Sequence, residues 1–245
     1  MPRIYLSPST QENNLFVNGG TEEQYMNLIA DAMAPYLRSN GIQYTRNTPE
    51  MTAASSIRQA NQGNYDFYLA LHSNAAPEGR YGQVRGSIAF YFPTSTNGKR
   101  MADIIVRNLK TIYPEPQLVR AVPTTTLGEV RLSKAPAVLV EIAYHDNVED
   151  ANWIKNNINA IARNLVLSLT EYFGIPFISP QPERTGTVRV SWGNLNIRNR
   201  PTTASAVIGQ APNGATLQVL GSWDGWYVVN YNGIVGYASD QYISV

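Results

Sequence analysis

The chain has 245 residues, 19 Lys and Arg against 18 Asp and Glu, and no cysteine. At about 100 to 200 residues per domain this is one large domain or one domain with a small partner, and with 43% hydrophobic and 15% charged residues it has ample material for a core. A net charge of +1 gives no electrostatic reason to expect a nucleic acid or an anionic membrane as partner, since these demand a concentrated basic surface, and the lack of cysteine excludes disulfides, thiolate metal ligands and a cysteine nucleophile.

The chain opens on Pro2-Arg3-Ile4-Tyr5-Leu6, a first strand over residues 4–6 with no apolar leader before it and no membrane-length apolar run after it. Thr21-Glu22-Glu23-Gln24 has the spacing of a capping box, and Leu28, Ile29, Ala32, Met33 and Leu37 continue a helical period. Pro35 should kink or shorten that helix, and Gly41 should stop it. Strands are expected at 67–71, 87–92 and 137–140, the first and last as continuous apolar runs buried on both faces. Met101, Ile104, Ile105 and Leu109 mark a second helix. Ile154, Ile158, Ile161, Leu165, Leu169 and Phe173 mark a third, long one. This alternation predicts an α/β fold with a mixed sheet flanked by helices over residues 1–176.

Residues 177–186, with Pro180 and Pro182, read as a semi-rigid linker. From Thr187 to Val245 the period changes to two, with turn signals at Pro212-Asn213-Gly214, Trp223-Asp224-Gly225 and Asn232-Gly233. The last, between two β-rich runs, is a two-residue hairpin signal. A small all-β barrel follows.

Glu23 opens a helix, while His72 and Glu141 end expected strands, where open α/β sheets carry their ligands and chemistry. Singly, a helix-start carboxylate answers the helix dipole and a strand-end histidine is a hydrogen-bonded structural group. Jointly they provide metal ligands and a general base.

These residues fall in motifs. Glu23 precedes Asn27-Leu28, then come Leu71-His72-Ser73-Asn74 and Pro136-Ala137-Val138-Leu139-Val140-Glu141, with Asn147 six residues on. In this arrangement the chain resembles the zinc-dependent N-acetylmuramoyl-L-alanine amidases with a phosphorylase/hydrolase-like fold, over residues 1–176. The resemblance implies zinc held by Glu23 and His72, with Glu141 as the catalytic carboxylate. Ser7-Pro8-Ser9-Thr10 stands where the family has Asp-Pro-Gly-His, so Thr10 replaces the first zinc histidine. A catalytic zinc takes three protein ligands and a water. The third is His145, or a polar residue of the 11–14 loop, or the site is weakened; His145 is placed first among these. In an extended strand Glu141 and His145 would share a face about 13 Å apart, so the strand must bend after Glu141, and Asp146-Asn147 offers the bend.

The last sixty residues resemble a bacterial SH3-like domain of cell-wall hydrolases, through Leu195-Asn196-Ile197-Arg198-Asn199-Arg200-Pro201, Trp223-Asp224-Gly225-Trp226 and Gly233-Ile234-Val235-Gly236-Tyr237. Such domains bind wall peptide or cross-bridge. The two resemblances together imply a peptidoglycan hydrolase cutting the amide between N-acetylmuramic acid and L-alanine, an endolysin or an autolysin acting on the wall; the want of an apolar leader favours an endolysin that stays cytoplasmic until lysis releases it, and charge and hydropathy give no reason to expect nucleic acid or membrane insertion. The alternative is a wall-binding protein whose amidase-like domain has lost its metal.

Overall fold

The computed structural model describes residues 1–245, which divide into two compact units: Arg3–Ala34 with Tyr44–Tyr172, and Met1–Pro2 with Pro35–Gln43 and Phe173–Val245. No helix is long and apolar enough to cross a membrane.

The first unit is built on a six-stranded sheet. In chain order the elements that lie wholly or mainly in it are β1 (Arg3–Pro8), α1 (Glu22–Ser39), β2 (Gln43–Arg46), α2 (Ala53–Gln62), β3 (Phe67–Asn74), β4 (Ser87–Tyr91), α3 (Thr96–Leu109), β5 (Val119–Pro123), α4 (Gly128–Arg131), β6 (Ala137–Tyr144), α5 (Val148–Asn156) and α6 (Ile158–Phe173). The strand order is β2-β1-β3-β6-β4-β5. β1, β3 and β6 run parallel at its centre, and β4 pairs antiparallel with β6. The expected mixed α/β sheet is therefore present. The central strands are buried on both faces, which explains their unbroken apolar sequence.

The two faces separate by the strand period of two. Tyr5, Tyr68, Ala70, Ala137 and Leu139 form one cluster with Ala60 of α2 and Val130 of α4. Continued towards the carboxyl ends, the same alternation carries Ser7, His72 and Glu141 on that face. α4 is a single turn with no apolar period to announce it, whereas α2 carries a short one, Ala53, Ile57 and Ala60, behind the cap at Thr52.

Three local differences have plain causes. α1 keeps Pro35 and runs on to Ser39, because packing of Met26, Ile29, Met33 and Leu37, all fully buried, outweighs one lost backbone bond. The long C-terminal helix is two, broken at Asn157 (φ −125°, ψ 20°), whose N–H caps Ile154 O and whose side chain donates to Trp153 O at 2.8 Å. β3 and β6 run beyond His72 and Glu141, with a register shift that sets two residues of β3 against three of β6. That is a bulge at Ile142-Ala143, and it bends β6 before the expected Asp146-Asn147.

In the second unit an antiparallel sheet orders β13-β7-β10-β11-β12-β8-β9, from β7 (Arg184–Val188), β8 (Asn194–Arg198), β9 (Val207–Pro212), β10 (Thr216–Trp223), β11 (Trp226–Tyr231), β12 (Ile234–Ser239) and β13 (Ile243–Ser244). Val188, Leu195, Ile197, Leu217, Val219 and Val229 fill its core. Asn232 (φ 51°) and Gly233 (φ 84°) make the expected two-residue hairpin between Tyr231 and Ile234, and both angles are positive, as the type I′ turn requires. Within the expected linker Ile178 is buried. The Asn40 amide accepts from its N–H at 2.6 Å and donates to its O at 2.8 Å.

Candidate active site

His72 on β3 and Glu141 on β6 are register partners, so two parallel strands present them side by side. α1 begins beside them. Thr21 Oγ1 accepts from Gln24 N–H at 3.1 Å, fixing the helix start. The phase set by Met26, Ile29 and Met33 then turns Glu22 inwards. Glu22 is 1% exposed and its carboxylate receives His72 Nδ1–H at 2.9 Å, Asn14 Nδ2 at 2.6 Å and the Ser73 N–H at 3.3 Å. Glu23 is half-buried one helical position round, and its carbonyl accepts from Asn27 Nδ2 at 2.8 Å. The carboxylate that meets His72 is thus that of Glu22, one residue before the expected Glu23.

Glu129 was missed. α4 is a single turn with no period to betray it, yet Glu129 is 5% exposed and accepts from Ser7 Oγ at 2.6 Å, Tyr68 OH at 2.7 Å and His72 Nε2–H at 2.8 Å. His72 is therefore clasped by a carboxylate at each ring nitrogen.

His145 also comes near. It is buried and stacks on Phe16, with ring centroids 5.7 Å apart, and its Nδ1 lies 4.0 Å from Glu22 Oε2. That nitrogen is already engaged, donating to Ser73 O at 2.9 Å. The 11–14 loop also reaches the site, with Gln11 Nε2 3.2 Å from His72 Nδ1. A cavity of about 510 Å³, lined by Ser7, Ser9, Thr10, Gln11, His72 and Glu129 among others, opens here. Glu141 lies outside its lining, partly exposed, with Oε2 sealed and without a hydrogen-bond partner.

The charges follow from this packing. Burial alone would lower the His72 pKa, but the bonds to Glu129 and Glu22 hold it well above the usual histidine value. Burial would raise both of those carboxyls, but His72 holds each below the usual carboxylate value. Glu141 accepts no compensating bond. Burial pushes its carboxyl up to about 7, with the charges of Glu22 and Glu129 adding and that of His72 opposing.

The zinc implied by the resemblance can be tested on these donors. A catalytic zinc needs three protein ligands, neutral at imidazole nitrogen. Here Thr10 offers a neutral hydroxyl, Glu22 and Glu129 each take a ring nitrogen of His72 for themselves, and although these three side chains touch, they are not placed to hold a metal ion between them. The residues as placed do not fit a catalytic zinc.

A mixed sheet with a histidine at the carboxyl end of one central strand and carboxylates from α1 and α4 gathered round it, followed in the chain by a small antiparallel β unit, defines an α/β protein with a C-terminal all-β unit. Residues 9–171 match the N-acetylmuramoyl-L-alanine amidase family, which is well over half of the chain, and residues 193–244 match the bacterial SH3 domain. The chain belongs to that amidase family. It is 26% identical over 162 residues to the N-acetylmuramoyl-L-alanine amidase LytC of Bacillus subtilis, covering 63% of this chain and 32% of that one; the chain thus spans about a third of its curated relative. Its fold is shared with the N-acetylmuramoyl-L-alanine amidase AmiC2 of Nostoc punctiforme (TM-score 0.63, 16% identity, 71% of this chain and 97% of that one). It is shared also with the catalytic domain of the amidase CwlV from Bacillus (Paenibacillus) polymyxa (TM-score 0.63, 14% identity, 72% and 100%).

Proposed function

We propose that this chain is a peptidoglycan hydrolase that cuts the amide between the lactyl group of N-acetylmuramic acid and the L-alanine of the stem peptide. The observation that carries the reading is Glu141. It is a carboxylate without a hydrogen-bond partner at Oε2, held near neutrality, beside His72 at the ligand end of the sheet. A base is most effective when its pKa lies near the working pH. Glu141 would take the proton of the attacking water and return it to the leaving amine of L-alanine. His72 and the 11–14 loop would form the wall of the cavity that receives the substrate.

Zinc, the group that the resemblance implies, would polarise the carbonyl if it were bound, but the donor set stops at two. One imidazolium between two carboxylates leaves a net negative cluster, which offers little to a developing oxyanion. That observation favours a second reading, a wall-binding protein on an amidase fold. The products of digested peptidoglycan separate the two in one measurement. The first reading expects, by mass analysis, free L-alanine amines with intact glycan strands, and an unaltered wall refutes it.

The barrel is read as the anchor. A groove of about 480 Å³ is lined by Trp192, Trp226, Tyr242 and Arg198 among others, and wall peptide or cross-bridge is the ligand proposed for it. Anchoring on an insoluble substrate raises the local concentration of the cutting domain. The place of action is the bacterial cell wall.

A further inference from the structure

We propose that Glu129 is a positioning residue for His72, supplying from α4 the carboxylate that the amidase motif carries on the first strand and that this chain lacks at Ser7. The inference rests on the hydrolase reading for its activity arm, and on geometry for the rest.

Position 7 is where the resemblance has an aspartate. Ser7 is 2% exposed and its hydroxyl donates into Glu129 Oε1 at 2.6 Å. The missing acidic group and the unexpected one therefore touch. A carboxylate in this enclosure is costly unless every lone pair is used, and Glu129 uses both oxygens: Ser7 and Tyr68 on Oε1, His72 on Oε2. Tyr68 and His72 are four residues apart on β3, on one face, and a single carboxylate joins them. For mere filling, an aliphatic side chain beside Val130 in the α2–α4 cluster would serve at lower cost. The carboxylate adds direction. With Nε2–H fixed on Glu129, the ring plane of His72 is set, and Nδ1 is turned to Glu22 and Gln11. A histidine whose far nitrogen is held by a carboxylate keeps one ring orientation; for histidines that ligate a metal, loss of such a partner costs about 10- to 100-fold in function, and the setting of the ring needs no metal.

The test uses Glu129→Gln, Glu129→Val and the double variant Ser7→Asp/Glu129→Val in the full chain. Three quantities are read: the His72 ring 1H–15N NMR spectrum, kcat and KM on purified peptidoglycan, and the thermal unfolding midpoint. Glu129→Gln is expected to move the His72 Nε2–H resonance upfield and broaden it, and to lower kcat by about 10- to 100-fold with KM changed less than about twofold. Ser7→Asp in the Glu129→Val background should return the resonance and most of kcat, because it puts a carboxylate back at the same point from the other side. An unchanged His72 spectrum in a folded Glu129→Gln variant overturns the proposal. So does a double variant no better than Glu129→Val alone. If the wild type releases no L-alanine amines, the hydrolase reading fails by itself, and the ring spectrum and its rescue still judge Glu129.

Discussion

Glu141 is the residue at which fold and chemistry pull in opposite directions. Its carboxyl titrates at about 7 in the fold against an ordinary 4.5, so between those values the folded chain binds more protons than the unfolded one. Stability on this account falls as pH rises through that window and is level above it. Glu141→Gln removes the penalty. Chemical denaturation at pH 5 and pH 8 should show the variant gaining on wild type with rising pH, by on the order of 3 kcal/mol at the plateau, and losing hydrolysis; a gain independent of pH would contradict the assignment. Glu22 and Glu129 act in the opposite sense, their contribution being complete above 4.5 and lost on acidification. Glu22→Gln should destabilise by about 3 kcal/mol, since it breaks a buried pair, whereas Glu23→Gln should stay within about 0.5 kcal/mol. Equal effects in the two variants would show that the helix phase is misread. The metal question also turns on single residues. Zinc measured after dialysis should lie well below one per chain, and Thr10→His, which restores the family's histidine, should raise it towards one. Full zinc in the wild type would show that the donors rearrange around the ion. His72 and Glu141 were legible because each closes an apolar run. Glu129 was not, because a carboxylate on a one-turn helix leaves no pattern.

Elements carry these side chains to one place by means partly visible in sequence. The central strands were legible from their continuous apolar runs, and α1 from its cap and its period. The bulge in β6 was not, since Ile142-Ala143 differs in nothing from the run before it; the extra residue shows only when β6 is laid against β3. The same holds for the break at Asn157, where apolar residues keep their period across two helices. Asn147, which closes the last motif, has a structural task. Its Oδ1 accepts from the N–H groups of Glu149 and Asp150 at 3.0 and 3.1 Å, and its Nδ2 donates to Gly82 O at 2.7 Å. It starts α5 and ties down the loop at Gly82. α5 then presents Asp150, fully buried, to Tyr113 OH and the N–H groups of Gly86 and Tyr144. Asn147→Ala should cost about 2 kcal/mol, the upper end for a lost cap, read from urea midpoints at unchanged m-value. A loss under about 0.5 kcal/mol would mean that water replaces the cap.

Across the whole molecule the change of period near Thr187 announced the barrel, and the hairpin at Asn232-Gly233 was legible to the residue, because only positive φ at both positions closes that turn. The segment before it was harder to read. Pro180 and Pro182 gave it the composition of a spacer, while the buried Ile178 and its clasp by Asn40 depend on a residue far away in sequence. Composition also left open which aromatics face outwards. Neither Trp223, at 39% exposure, nor Trp226 is fully buried, and Trp192 is 89% exposed. An indole so open contributes little to stability and costs solubility, which is the profile of a contact residue at a binding site. Trp192→Ala in the full chain should therefore leave the unfolding midpoint unchanged while weakening sedimentation with purified cell walls by about tenfold, or ~1.4 kcal/mol. Hydrolysis of small soluble muramoyl-peptides should stay at the wild-type rate, because that substrate does not need the anchor. Undiminished wall binding in the variant would remove the groove from the account of targeting, and a slower rate on the soluble substrate would place Trp192 in the chemistry instead.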